Sequence, residues 1–288
     1  MGAPTSDDLR VHETSGTLPT LSVEGLSIEF SRRRVWTPVV HDVSMKVMPG
    51  EIVGVIGESG SGKTLSALAA LRLLPRQARV ASGRVRLGDI EVLAQSEHQM
   101  RALRGNRMAL IPQDAMQALN PTMRVGLQVA EPLSLHSGKA LKAVAGAAAQ
   151  LLEAVGIARP AERACAFPHQ FSGGMQQRAM IAMGLALAPS LLIADEPTTA
   201  LDVTVQAQIL DLFRNIRTTR GTSILFITHD LSVVAELCDW VYVMRHGRIV
   251  EQGSIARIFR DPQQDYTQML LAATPSIHAP RRKGGRHD

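Results

Sequence analysis

The sequence predicts an α/β fold with a mainly parallel sheet and a second, helical lobe. Three observations predict it. Short apolar runs of strand length alternate with segments of helical composition, the pattern of strands joined by crossover helices. A strand, a glycine-rich loop and a helix follow one another at 51–74. A long stretch from about 126 to 187 reads as mainly helical, more than one crossover needs. The chain has 288 residues, 45% hydrophobic and 20% charged. That is one large domain or two modest ones, composed like a folded globular protein rather than a disordered chain.

The elements are justified in order. Residues 1–19 are a polar leader; MGAPTSDDLR lacks the basic start and apolar run of a signal peptide. From Leu21, LSVEGLSIEF alternates apolar and polar residues as a half-buried strand does, and VVHDVSMKV at 39–47 repeats the pattern. Pro49-Gly50 marks a turn. EIVGVI at 51–56 is a short apolar strand, and TLSALAALRLL at 64–74 has helix-forming composition. Further strands are expected within 83–93 and at 107–111. In the helical stretch, AVAGAAAQLLEAVGI is the clearest piece. AMIAMGLALAPSLLIA at 179–194 is too short for a membrane span and is divided by Pro189, so it reads as a buried helix, a turn and a buried strand. TVQAQILDLFRNIRTT then gives a helix and SILFIT at 223–228 a strand.

Composition excludes several classes. Aromatics are 3% of the chain, which implies an aliphatic core and argues against a base-stacking nucleic-acid binder. Cys165 and Cys238 are the two cysteines; they are far apart and give no disulfide framework or local metal cluster. Both read as inert packing in a reducing compartment. The net charge is +5, much of it in a tail holding Arg281, Arg282, Lys283 and Arg286. No large basic face is implied, so no nucleic-acid partner is expected.

Residues 57–64 read GESGSGKT and fill every position of G-x-x-x-x-G-K-[ST] between a strand and a helix. Gly57, Glu58, Ser59, Gly60, Ser61, Gly62, Lys63 and Thr64 would wrap a polyphosphate with backbone N–H groups at a helix N-terminus. Lys63 can bridge the outer phosphates, and the Thr64 hydroxyl can ligate Mg²⁺. The loop names a nucleotide binder without choosing among kinase, GTPase and ATPase. LLIADE at 191–196 ends an apolar strand in two carboxylates. Asp195 would hold Mg²⁺ through its water shell, and Glu196 would polarise an attacking water as general base. FSGGMQQR at 171–178 precedes an apolar helix. Ser172 is a plausible N-cap, and Gly173-Gly174 leave bare N–H groups at a positive helix end. Two phosphate-facing sites in one chain suggest that each nucleotide is shared by two subunits.

With these motifs the chain resembles the nucleotide-binding subunit of an ABC transporter, and within that superfamily it is similar to the ATPases of peptide, nickel and opine importers. GESGSGKT is similar to Walker A, LLIADEP to Walker B and FSGGM to the signature usually written LSGGQ. QDAMQALNP, PHQFSGGMQQR and ADEPTTALDVTVQAQIL are the more specific matches, and the likeness runs over about 21–275. The resemblance implies an ABC-type P-loop ATPase: a RecA-like parallel-sheet core, an antiparallel β subdomain and a helical signature lobe. It divides the chain into a leader (1–19), an ATPase domain (20–260, with the lobe at about 115–188) and a C-terminal extension with the basic tail (261–288).

The same resemblance assigns roles. Gln113 matches the Q-loop glutamine that contacts Mg²⁺ and water, Asp202 the D-loop at the dimer interface, and His229 the switch histidine at the γ-phosphate. Ser172, Gly173 and Gly174 would bind the γ-phosphate held by a partner's loop. Trp36 is the nearest candidate to stack on adenine, at an imperfect offset, whereas Trp240 reads as core. The family often carries a cysteine-rich iron–sulfur extension, which needs about four thiolates; two cysteines predict none here. The nine histidines form no H-x-x-H group, so any nickel specificity would lie in another subunit.

The implied function is an ATP- and Mg²⁺-dependent motor on the cytoplasmic face of the inner membrane. Its partners would be two transmembrane permeases, a second ABC ATPase (a homologous chain or a second copy) and, indirectly, an extracytoplasmic solute-binding protein. The cargo stays open among peptides, nickel chelates, opines and some sugars. A soluble ABC ATPase acting on DNA or ribosomes is the alternative, although no long coiled-coil insertion or second cassette is visible. A small-molecule kinase explains the loop but not FSGGM or His229, and a non-catalytic module would be expected to lack Glu196.

Overall fold

The computed structural model describes residues 16–199 and 201–273. Residues 1–15 of the expected leader and the basic tail lie outside them. The N-terminal hairpin pairs β1 (Leu21–Arg32) with β2 (Val35–Val47). β3 (Ile52–Ile56) leads through the glycine loop into α1 (Lys63–Ala70). β4 (Ala78–Leu87) and β5 (Ile90–Glu91) complete a four-stranded antiparallel sheet in the order β2-β1-β4-β5. α2 (Glu97–Leu103), capped by Ser96 and Gln99, precedes β6 (Met108–Ile111).

The helical stretch contains α3 (Ala115–Ala118), α4 (Val125–Ser137), α5 (Leu141–Val144), α6 (Ala147–Ala154), α7 (Pro160–Ala164) and α8 (Gly173–Gly184). Then follow β7 (Leu191–Asp195), α9 (Val203–Arg220), β8 (Ser223–Thr228), α10 (Leu231–Leu237), β9 (Trp240–Arg245), β10 (Arg248–Ser254), α11 (Ile255–Arg260) and α12 (Asp265–Ala272).

The six-stranded sheet runs β10-β9-β3-β8-β7-β6, parallel except for the β10–β9 pair. Every residue of β3, β7 and β8 is buried, as expected for strands covered on both faces. Period-two alternation divides them between two cores. Ile52, Leu192, Ala194, Ile224 and Phe226 face one core, with α8 and α9 residues such as Ile181 and Phe213. Val53, Val55, Leu191, Ile193, Leu225 and Ile227 face the other, with α1 and the antiparallel sheet.

Two helices differ from the sequence expectation. The helix expected over 64–74 ends at Ala70 because Arg72 turns left-handed at φ 51°. The N–H groups of Leu73 and Arg72 then close back on Leu68 and Ala69, a Schellman-type end built without glycine. The alanine-rich piece divides into α5 and α6. Ala145 and Gly146 keep right-handed helical angles, but Ala148 bonds three residues back to Ala145, so the ladder slips there. Among the described residues, no helix is long and apolar enough to cross a membrane.

Candidate active site

The site forms where four neighbouring parallel strands end. The glycine loop follows β3, His229 follows β8, Asp195 and Glu196 close β7, and Gln113 follows β6. In the sheet these strands lie in the order β3-β8-β7-β6. Residues scattered along the sequence therefore meet at one carboxyl edge, the usual ligand position of an open α/β sheet.

The loop is shaped for an anion. Gly57 has φ 150°, and a Cβ there would fall 2.1 Å from the Met244 carbonyl oxygen. Gly62, at φ 101°, forms the first cap of α1 and aims the helix N-terminus into the loop. Lys63 is 5% exposed. Its ammonium donates to the Gly57 and Glu58 carbonyls at 2.8 and 2.9 Å. Burial pulls its pKa below the ordinary lysine value, against the pull of Glu196 and Asp195. The loop thus holds a desolvated cation beneath open backbone, a cradle that fits a polyphosphate.

Thr64 donates to Asp195 Oδ1 at 3.1 Å. Burial, with the nearby Glu196 charge, raises the Asp195 pKa; the Thr64 hydrogen bond and Lys63 oppose the rise. A hydroxyl beside a carboxylate is a hard-oxygen donor pair suited to Mg²⁺. Glu196 is bound from three directions. Its Oε2 accepts from Gln113 Nε2 at 3.2 Å and Thr199 Oγ1 at 3.0 Å, and lies 3.2 Å from His229 Nδ1. Its backbone is left-handed at φ 46°, held by its N–H on the Ile227 carbonyl and by the Thr199 N–H on its own carbonyl. Strain of this kind persists only where the surroundings over-determine it. A carboxylate so oriented can take a proton from a water at the loop mouth.

A buried side chain that the sequence does not single out anchors the chain several residues after Gln113. The amide of buried Gln128 on α4 accepts from Asn120 N–H and donates to the Asn120 and Met123 carbonyls. The segment after Gln113 is thereby tied to the helical stretch.

Ser172, Gly173, Gly174 and Asp202 make their contacts elsewhere. Ser172 caps α8 by accepting from Met175 N–H, and Asp202 caps α9 by accepting from Val205 N–H. The two helix starts touch: a Cβ on Gly174 would lie 2.6 Å from Val205 Cγ1. Gly173 has open space around it and Val203 is 84% exposed. Trp36 is partly exposed on β2, with the Arg79 guanidinium 4.2 Å from its ring centre, and Trp240 is buried as expected. The cysteines differ from expectation in one respect. Cys238 is buried, with its thiol pKa pushed up by desolvation, but Cys165 is exposed because it follows the short surface helix α7.

Sequence reasoning missed Thr199, Gln128 and Tyr266. Thr199 stood in a quoted motif without a role. Tyr266 lies on α12, yet its phenol oxygen accepts from the loop's Glu58 N–H at 3.0 Å.

The chain is similar to known proteins in sequence and in fold. The family model described as "ABC transporter" matches residues 40–199, and one described as "AAA domain, putative AbiEii toxin, Type IV TA system" matches 166–235. The chain is 47% identical over 265 residues to the probable peptide ABC transporter ATP-binding protein y4tR of Sinorhizobium fredii, covering 92% of this chain and 78% of that one. It is 47% identical over 272 residues to the peptidoglycan transport ATP-binding protein YejF of Agrobacterium fabrum, but spans only 49% of that protein's length. With the glutathione import ATP-binding protein GsiA of Salmonella typhimurium it shares 44% identity, covering 96% of this chain and 45% of that one.

Among solved structures, the dimeric bacterial ABC transporter cassette MJ0796 superimposes with a TM-score of 0.72 at 23% identity, covering 82% of this chain and 98% of that one. The Clostridium perfringens protein cbiO1, part of the ABC transporter complex cbiONQ, gives 0.70 at 25% identity, covering 85% and 92%. Phosphate loop, paired carboxylates, capped signature helix, fold and relatives all lead to one assignment: the chain belongs to the ABC transporter ATP-binding family.

Proposed function

We propose that the chain hydrolyses ATP to power uptake of peptides or related small solutes through separate membrane permeases. The observation that carries this is the convergence at one sheet edge of Lys63 in its loop, the Thr64–Asp195 pair, and Glu196 with Gln113 and His229 around it.

In this reading residues 57–64 hold the ATP phosphates and Lys63 leaves its loop carbonyls for the outer ones. Thr64, Gln113 and Asp195 would hold Mg²⁺, which would neutralise charge on the phosphates. Glu196 acts as general base, with His229 beside the γ-phosphate. Ser172, Gly173, Gly174 and Asp202 serve the nucleotide of an apposed ATPase, a homologous chain or a second copy. The names of y4tR, YejF and GsiA, given for peptide, peptidoglycan and glutathione transport, support a peptide-like cargo. Two permeases and, indirectly, an extracytoplasmic binding protein complete the importer, which places this subunit on the cytoplasmic face of the inner membrane. The helical lobe at about 115–188 would meet the permeases, with Gln113 at its root.

The test is Glu196→Gln. The variant is expected to bind ATP as the parent does, while hydrolysis falls by about 10²–10⁴-fold. Hydrolysis near the parent's rate would remove Glu196 from the base role.

A further inference from the structure

We propose that Tyr266 is a positioning residue of the nucleotide site: it fixes the first peptide of the phosphate loop so that the peptide keeps its orientation when Lys63 turns to a polyphosphate. The inference rests on the nucleotide-binding reading above and adds a residue from the last described helix.

The peptide joining Gly57 and Glu58 is gripped at both ends. Its carbonyl accepts from Lys63 Nζ at 2.8 Å, and its N–H donates to Tyr266 Oη at 3.0 Å. These two contacts answer to different states of the loop. An ammonium that serves phosphate oxygens gives up carbonyl partners, so the grip on the oxygen side is transient. The phenol belongs to α12 rather than to the loop, and as an acceptor to this N–H it is not drawn away by an anion. Glycine at position 57 makes such a hold necessary. At φ 150° the Gly57 backbone occupies a region that side chains rarely adopt, and a peptide beside glycine reorients at little steric cost.

Tyr266 is itself firmly placed. Buried Glu251 on β10 accepts the Gln263 N–H at 2.7 Å and the Gln264 N–H at 3.2 Å, which sets the start of α12. Tyr266 is 4% exposed and, with Leu271, belongs to the core that Ile52 and Phe226 face. The Arg245 guanidinium at the end of β9 sits 4.7 Å from the ring centre. The strand that carries Arg245 also bounds the loop through the Met244 carbonyl beside Gly57. A segment distant in sequence thus closes the back of the phosphate loop. Because Lys63 supports this peptide only before a polyphosphate arrives, the Tyr266 contact contributes most in the bound state. Its loss therefore falls on affinity.

The experiment uses the full chain and its Tyr266→Phe, Tyr266→Leu and Lys63→Ala variants. Equilibrium binding of ATP with Mg²⁺ is measured beside thermal midpoints and the KM and kcat of hydrolysis. Phenylalanine keeps the ring packing and the Arg245 contact and removes only the acceptor. Tyr266→Phe is expected to fold with a midpoint near the parent's and to bind ATP about ten-fold more weakly, the loss falling more on KM than on kcat. Tyr266→Leu is expected to lose affinity and thermal stability together. ATP affinity equal to the parent's in Tyr266→Phe would overturn the proposal and leave Tyr266 a packing residue, whatever its midpoint. If the parent itself binds ATP no better than Lys63→Ala, the nucleotide reading fails and the proposal falls with it.

Discussion

At the scale of single residues the site is built on opposed demands, and Asp195 shows them best. The fold buries its carboxyl and raises its pKa above the 3.8 of an ordinary aspartate. Folding therefore favours the protonated form. Stability from this group is full below the unfolded pKa and is lost as pH rises through the higher folded value. At neutral pH the ionised carboxylate is a cost that a bound cation would offset. Asp195→Asn is expected to raise the thermal midpoint in Mg²⁺-free buffer by about 2–4 °C at neutral pH, with a flatter midpoint-against-pH curve above pH 4, while hydrolysis collapses. A midpoint at or below the parent's at pH 7 would contradict this account. The motif residues 57–64, 195 and 196 were legible because they are contiguous and chemically distinctive. Thr199 was not: a threonine in a turn has many uses, and only its 3.0 Å contact to Glu196 selects one.

At the scale of elements, two capped helix starts pack together where the signature lies. α8 begins at Gly173 behind the Ser172 cap, and α9 at Val203 behind Asp202. Gly174 lets them approach, since any Cβ there would press on the stiff branched side chain of Val205 at 2.6 Å. Gly173, one residue earlier, meets nothing within 4 Å. Adjacent glycines in one motif should thus respond oppositely to alanine. Gly174→Ala is expected to cost about 1–3 kcal/mol in chemical denaturation. Gly173→Ala is expected to be neutral or to stabilise by up to about 1 kcal/mol. Equal losses in the two variants would rule out the packing explanation. The sequence showed Ser172 as a cap; it did not show Val205 as the reason for the second glycine.

At the scale of the whole molecule, the phosphate loop and the paired carboxylates gather at the strand ends, while Ser172 and Asp202 cap the neighbouring starts of α8 and α9. Thr64 meets Asp195 and His229 meets Glu196 across the strand ends, and Gly174 packs against Val205 where the two helices begin. Gly173 has open space beside it and Val203 is exposed, as the proposed apposition of a second ATPase requires. Affinity purification of the tagged chain from its native membrane in mild detergent, with the captured proteins identified by mass spectrometry, is expected to yield two polytopic permeases and an ATPase partner. Recovery of ribosomal or DNA-repair proteins without membrane proteins would sink the importer reading.

The chemistry of the loop, the two carboxylates, the Ser172 cap and the alternation of strands with helices were legible in the order of the residues. Each of these lives within a short window, where residue type and spacing dictate backbone conformation and charge. Tertiary structure alone decided which strand ends are neighbours, and so brought Gln113 and His229 to one oxygen of Glu196. It also set Gln128 under the segment after Gln113 and carried Tyr266 back to the peptide after Gly57. Those contacts depend on strand order and on the path of the chain across the sheet. Both are fixed by burying two apolar faces at once, a condition on the whole chain that no local window contains.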